Sequence, residues 1–264
     1  MSKIIWRLWS QGWENAPTLC GTCTDSWKYH NPEWDVREID KYQLSELIDI
    51  ESILPGLSTN NICYSDIVRI FLLKKYGGVW ADSTVFCNKP LDSWLPSKTF
   101  VFSYPFPYRM IASWFISSGV DSYIIDTWYD RVIEYWKYRI ANTDQMQQHV
   151  PNNNPWFHEL FQNEYRINEK FRSIWDGTPK FKTPVSDTGP LMFAPDYMDC
   201  FFGDSNPEFE HFIDRKTIPI FKLSYKINTN WKQVSLKDAG DGFDKIITPY
   251  MKGGKLDYLF NTIK

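Results

Sequence analysis

Residues 76–84, Tyr-Gly-Gly-Val-Trp-Ala-Asp-Ser-Thr, set one carboxylate and two hydroxyls directly after a short apolar run. Gly77-Gly78 stops the preceding helix and Val79-Trp80-Ala81 reads as a buried strand, so Asp82 falls where the sheet no longer covers the chain. A carboxylate at such a strand end is placed to share a divalent cation with a diphosphate, both being hard oxygen ligands. Upstream, Ser65-Asp66-Ile67-Val68-Arg69 projects Asp66 and Arg69 from one helix face, three residues apart. Alone, that spacing also describes a surface ion pair worth less than about 1 kcal/mol. The whole unit gives it weight: a helix with an Asp/Arg pair, a Gly-Gly stop, a buried strand, and an aspartate at the strand's end.

Other residues carry chemistry with less constraint. Lys222 and Lys226 bracket Leu223-Ser224-Tyr225 and share one face of a predicted strand, where they either meet a diphosphate or stand in solvent. His158 sits in an aromatic helix, near a ligand or simply packed. Cys20-Gly-Thr-Cys23 has metal or redox spacing, but no second CxxC or His pair follows at ligand distance, so these read as ordinary helix thiols.

The elements that must position these groups follow a βαβ beginning. Ile4-Ile5-Trp6-Arg7-Leu8-Trp9 favours a strand, Pro17 suits the first turn of a helix reaching about Tyr29, and residues 34–39 alternate apolar with charged. Asn60 or Asn61 caps a helix whose apolar face, Ile62, Ile67, Ile70, Phe71 and Leu73, runs to Tyr76. Phe100–Phe102 and Met110–Ile116 read as strands, residues 121–139 and 155–166 as amphipathic helices, and Pro151–Pro155 as a loop. This alternation predicts an α/β fold with a mainly parallel sheet and ligand loops at the carboxyl ends of its strands.

With 264 residues, 43% apolar and 17% aromatic, the chain has the makings of a large core, and one α/β domain is expected. No stretch of 18 uncharged apolar residues occurs, and residues 1–12 lack a secretory pattern. Five cysteines without such a pattern suggest reduced thiols and a cytoplasmic setting. The net charge of −3 hides an asymmetry: residues 214–264 hold ten Lys/Arg against five Asp/Glu, leaving −8 for residues 1–213. A basic C-terminal segment fits phosphates or peripheral contact with the inner face of a membrane, or a plain solvated surface. It gives no dense basic stripe, so nucleic acid is not an expected partner.

The string SDIVRIFLLKKYGGVWADST resembles the core signature of the capsular polysaccharide synthesis type of glycosyltransferase, with a GT-A (Rossmann-like) fold related to the DXD-containing family 32 enzymes. KIIWRLWSQGWENAP is similar to that family's opening strand and loop, IASWFISS with the helix bearing Trp128 and Tyr135-Trp136 to its middle, and NPWFHELF to its aromatic-His helix. DTGPLMF is similar to its Thr-Gly-Pro turn and IPIFKLSYK to its closing Lys-rich strand. The resemblance spans most of the chain. It implies one glycosyltransferase domain over residues 1–264, with a nucleotide-sugar-binding half of about 1–115 and an acceptor-side, closing segment of about 116–264.

The resemblance also implies roles. Asp82, with Thr84 where a full DXD has its second carboxylate, would hold Mn²⁺ or Mg²⁺ on the diphosphate of a nucleotide sugar. Asp66 and Arg69 would hydrogen-bond hydroxyls of the donor sugar. Trp6 or Trp9 would stack on the base, uracil, or else serve as core aromatics. Gly78, Ser83, Lys222 and Lys226 would lie along the donor. Asp187, beside Thr188-Gly189-Pro190, would approach the anomeric centre, though a turn-capping aspartate accounts for it equally. With a single carboxylate, metal affinity without donor should be weak.

The resulting expectation is a metal-dependent retaining transferase moving a sugar from a UDP-hexose to a saccharide or lipid-linked oligosaccharide. The alternative is a nucleotide-sugar- or carbohydrate-binding protein of the same fold without turnover, which the missing second carboxylate and 13 tryptophans allow. A glycoside hydrolase would need two facing carboxylates, and residues 76–84 supply one.

Overall fold

A computed structural model of the chain describes residues 1–97, 100–103, 110–142, 155–182, 207–215, 218–223, 227–229, 232–234 and 255–264. In chain order these form β1 (Ile4–Leu8), α1 (Thr18–His30), β2 (Asp35–Ile39), α2 (Lys41–Leu47), α3 (Ile50–Ile53) and α4 (Asn61–Tyr76). There follow β3 (Gly78–Ala81), β4 (Val85–Cys87), β5 (Phe100–Ser103), β6 (Ala112–Ser118), α5 (Tyr123–Ala141), α6 (Trp156–Ile167) and α7 (Glu169–Asp176). The last are β7 (Lys180–Lys182), α8 (Pro207–Asp214), β8 (Ile220–Lys222), β9 (Ile227–Thr229), β10 (Lys232–Val234) and α9 (Lys255–Asn261). The chain divides into two compact units that interleave along the sequence: Met1–Glu14, Arg37–Ala81 and Pro96–Lys182 in one, Asn15–Val36, Asp82–Leu95 and Thr183–Lys264 in the other.

The first unit is built on a six-stranded sheet of order β2-β1-β3-β6-β5-β7. β1 pairs with β3 in parallel, β6 runs antiparallel to both β3 and β5, and β7 is parallel to β5. Thus β1, β3, β5 and β7 share a direction and β6 is reversed, giving the mixed, mainly parallel α/β sheet that the sequence predicts. The strands β3 and β6 are buried along almost their whole length, which is why they read as continuous apolar runs rather than alternating ones.

The helix α4 forms as its sequence dictates. Asn60 Oδ1 accepts from the amides of Ile62 (3.0 Å) and Cys63 (2.9 Å), and the helix ends at Gly77 with φ 64°. Gly78 follows at φ 93°, and a Cβ there would lie 2.6 Å from the carbonyl oxygen of Ile4. Only glycine lets the chain turn from α4 directly into a strand lying against β1. Gly78→Ala is therefore expected to cost at least about 2 kcal/mol, from backbone strain plus the clash, read as a lower urea midpoint.

The core of this unit gathers Ile67, Ile70 and Phe71 of α4 with Trp6, Trp80, Trp128 and the aromatic face of α6. Trp128 packs at 4.0 Å from Phe157 and 5.0 Å from Phe161, and its indole N–H donates to the Phe157 carbonyl at 3.1 Å. Beside this packing Glu164 is buried. Its carboxylate takes Arg131 Nε on one oxygen and Asn168 Nδ2 (3.1 Å) on the other, tying α5 to α6 and α7. Arg131→Met strips the cation from a nearly dry carboxylate. Because Arg131 itself is 41% exposed and water can partly replace it, a loss of about 2 kcal/mol is expected on thermal unfolding.

In the second unit α1 packs on β4, and β4 pairs antiparallel with β8. Trp27 Nε1 donates to the Val85 carbonyl (2.7 Å), Ser26 Oγ accepts from the Cys87 amide (2.8 Å), and Asn31 Oδ1 accepts from the Leu91 amide (2.7 Å). Cys20 and Cys23 are buried on α1 and not joined in a disulfide, in keeping with the ordinary helix thiols read from the sequence. Phe86 stacks on Phe260 of α9 at 5.9 Å, and Tyr258 hydroxyl bonds Asp214 of α8 at 2.9 Å.

Candidate active site

Two constellations emerge, one in each unit. In the first, Arg69 Nη1 meets Asp66 Oδ1 at 2.8 Å, and Arg69 Nη2 donates to Ser65 Oγ at 3.3 Å. The guanidinium lies over Trp80 (5.1 Å to the ring centroid) and Phe157 (5.6 Å). Side-chain exposure is 5% for Arg69 and 12% for Asp66, so the surface-pair alternative is not what this chain does. A buried ion pair stands only where geometry and further contacts offset its desolvation. Here two aromatic faces and a hydroxyl add to the ion pair on the arginine, and the aspartate retains the greater access.

In the second unit, Lys222 on β8 is the register partner of Val85 on β4. That pairing is held beyond the strands by Leu223 N donating to Thr84 O (3.0 Å) and Asn88 N to Pro219 O (2.8 Å). The Asp82 carbonyl accepts from the Val85 amide at 2.8 Å, turning the chain so that residues 82 and 84 face β8. Lys222 Nζ then donates to Asp82 Oδ2 at 2.9 Å and to Thr84 Oγ1 at 2.8 Å. Asp82 keeps 25% side-chain exposure and Lys222 11%, so the pair reaches solvent, while Thr84 is buried.

The predicted site residues fare differently. Asp82, Thr84 and Lys222 converge, Ser83 is buried beside them in sequence, and Asp66 and Arg69 pair. Trp6 is fully buried, with its indole N–H on the Gly77 carbonyl at 2.9 Å and the Arg37 guanidinium over its ring, so it is a core aromatic and no face remains for a base. Trp9 is only partly buried, its amide on Ile39 O at 3.0 Å. Gly78 is sealed between β1 and β6, where its missing Cβ serves packing rather than a ligand. His158 is packed on α6, 8% exposed, edge-on to Phe157. Asp187 and Lys226 lie outside the described residues, as does most of the basic segment 214–264.

The contact between Lys222 and Asp82, which are 140 positions apart, had no signal in the sequence: it rests on two three-residue strands. It also bears on Mn²⁺ or Mg²⁺. The two side chains assigned to the metal, one carboxylate and one hydroxyl, are both donated to by an ammonium. Among the described residues no three His, Cys, Asp or Glu gather as a metal site. A divalent ion joining Asp82 would meet the Lys222 cation across a single carboxylate, so these residues as arranged do not fit the ion.

The sequence matches the family described as capsular polysaccharide synthesis protein over residues 1–238. The chain belongs to that family. It is 27% identical over 105 residues to "Glycosyltransferase afumC" of Aspergillus fumigatus, covering 35% of this chain and 27% of that protein. It is 28% identical over 123 residues to "Inositol phosphoceramide mannosyltransferase 1" of Schizosaccharomyces pombe, covering 44% and 38%. The matched stretch of this chain thus spans well under half the length of these relatives. A solved structure named PaToxG glycosyltransferase aligns with a TM-score of 0.43 at 18% identity, over 67% of this chain and 73% of that one.

Proposed function

We infer that this family member is a glycosyltransferase that moves a hexosyl group from a UDP-hexose to a saccharide, free or lipid-linked, with retention at the anomeric carbon. The observation that carries the reading is the Asp82–Lys222–Thr84 cluster, a solvent-reaching cation held rigidly directly after a buried strand in a member of a polysaccharide-synthesis family. The relatives' names support the class: one is a glycosyltransferase and another a mannosyltransferase.

In this reading the bond between the anomeric carbon and the phosphate oxygen breaks, its electron pair leaving with the diphosphate. The acceptor hydroxyl oxygen forms the new bond from the same face and gives its proton to the departing phosphate, so UDP and glycoside are the products. Such a path asks for positioning and charge stabilisation rather than a protein base. Lys222 faces the diphosphate, while the roles of Asp66 and Arg69 toward a sugar hydroxyl and of Trp9 toward the uracil come from the family resemblance alone. Lys226 is a second cation for the phosphates, and Asp187 approaches the anomeric centre.

The test begins with thermal stabilisation by a panel of nucleotide sugars, mannosyl donors included, since a ligand that binds only the folded state raises its melting temperature by mass action. Release of nucleoside diphosphate from the stabilising donor, accelerated by a saccharide acceptor, is the expected result. Stabilisation without release, across acceptors, would select a binding protein without turnover. No described helix is long and apolar enough to cross a membrane.

A further inference from the structure

We propose that the ammonium of Lys222 takes the place of a divalent cation, so that the diphosphate of the donor is bound without metal and Asp82 acts as the residue that positions this lysine. The inference rests on the donor reading above and concerns how that donor is held.

Asp82 Oδ2 and Thr84 Oγ1 converge on one nitrogen at 2.9 and 2.8 Å. These are the same two oxygens that a DXD-like element would turn toward a metal. An ammonium has three donors. Two are used here, and the third makes no hydrogen bond among the described residues. The nitrogen is set in place from below: Thr84 is 2% exposed, its carbonyl bound by the Leu223 amide, and Lys222 lies in strand register with Val85. A lysine fixed at both its backbone and its charged end loses little conformational freedom when a phosphate arrives, and Lys is an effective point-charge partner for phosphate.

Charge order favours the same arrangement. Asp82 alone would repel a diphosphate, and with Lys222 between them the sequence is carboxylate, ammonium, phosphate, each attracted to its neighbour. Placing Mn²⁺ on Asp82 instead would first require Lys222 to leave an ion pair and a buried hydroxyl. Thr84 in place of a second carboxylate then has a physical reason: a hydroxyl accepts from the ammonium without adding negative charge beside the phosphates.

The experiment is calorimetric titration of the whole chain with UDP and with the stabilising nucleotide sugar, in excess EDTA and in saturating Mn²⁺ or Mg²⁺. Affinities within about threefold of each other in the two conditions are expected, and Lys222→Met should weaken both by about 10- to 100-fold, the range of a lost charge-assisted hydrogen bond. Lys222→Arg keeps the charge and should recover most of that loss; if the methionine variant fails to fold, the arginine variant and the EDTA comparison decide. Binding that appears only with the metal would overturn the proposal while leaving the donor reading in place. Absence of binding to every nucleotide sugar in both conditions would overturn the donor reading and this proposal with it.

Discussion

Asp82→Asn is expected to lower turnover by about 10²- to 10³-fold, the size of effect seen when one preorganised group facing developing charge is lost. The variant should fold. Asp82 is a quarter exposed, and partly solvated ion pairs contribute little to stability, so a melting temperature within about 2 °C of the parent is expected. Asparagine can still accept from Lys222 through its amide oxygen, but a neutral acceptor holds an ammonium less firmly than a carboxylate. The lysine is then less well aimed while its charge is no longer balanced. Ground-state affinity for UDP should stay constant or tighten slightly, and the loss should appear in kcat. Steady-state kinetics of UDP release, set beside calorimetric UDP affinity, separates the possibilities. If UDP affinity falls in step with turnover, and added Mn²⁺ restores part of both, Asp82 is a metal ligand and the positioning role is wrong. If turnover is unchanged, residue 82 has no part in the reaction.

The sequence was informative where a local rule had no competitor. The helix from Asn61 to Tyr76 is set by an Asn cap, an apolar face and a Gly-Gly stop, all within residues 60–78, and its observed bounds agree. The strand β3 and the helices α5 and α6 were legible for the same reason. The short helices α2 and α3 were not, because four to seven residues hold too few turns for periodicity, although the Asp40/Gln43 capping box was there to be found. At the site, Asp66 with Arg69 could be read from a spacing of three, but not that the pair is buried: that depends on Phe157, which arrives from a helix far along the chain. Trp6 shows the converse. An aromatic on a strand before a loop suits base stacking, and only the Gly77 carbonyl, brought in by the parallel register of β1 and β3, shows its indole to be a core group. Lys222 was singled out as one of two lysines on one face of a predicted Lys-rich strand, but its partners depend on the pairing of β4 with β8.

Arg69→Met is expected to be the most destabilising of the single changes considered, at about 3–5 kcal/mol, because it leaves the Asp66 carboxylate buried without its cation. Two aromatic faces lose their guanidinium at once, each contact worth roughly 0.5–2 kcal/mol and not strictly additive with the ion pair. For a chain of this size that corresponds to a fall of roughly 6–20 °C in melting temperature. A loss of that size would also remove activity for trivial reasons, so the pair must be dissected with both partners changed. Asp66→Leu combined with Arg69→Met replaces two charges by apolar groups, and removal of a complete buried pair is close to neutral where removal of one half is not. The double variant should therefore melt near the parent and well above Arg69→Met. If Asp66 accepts from the donor sugar, this refolded variant should still bind bare UDP with little change while losing the extra affinity that the hexose provides. Calorimetry with UDP and with UDP-hexose measures that difference directly. Equal weakening for both ligands would remove the pair from the sugar and reduce it to packing, and a double variant as unstable as the single one would show that the aromatic contacts of Arg69, not its charge, hold α4 against α6.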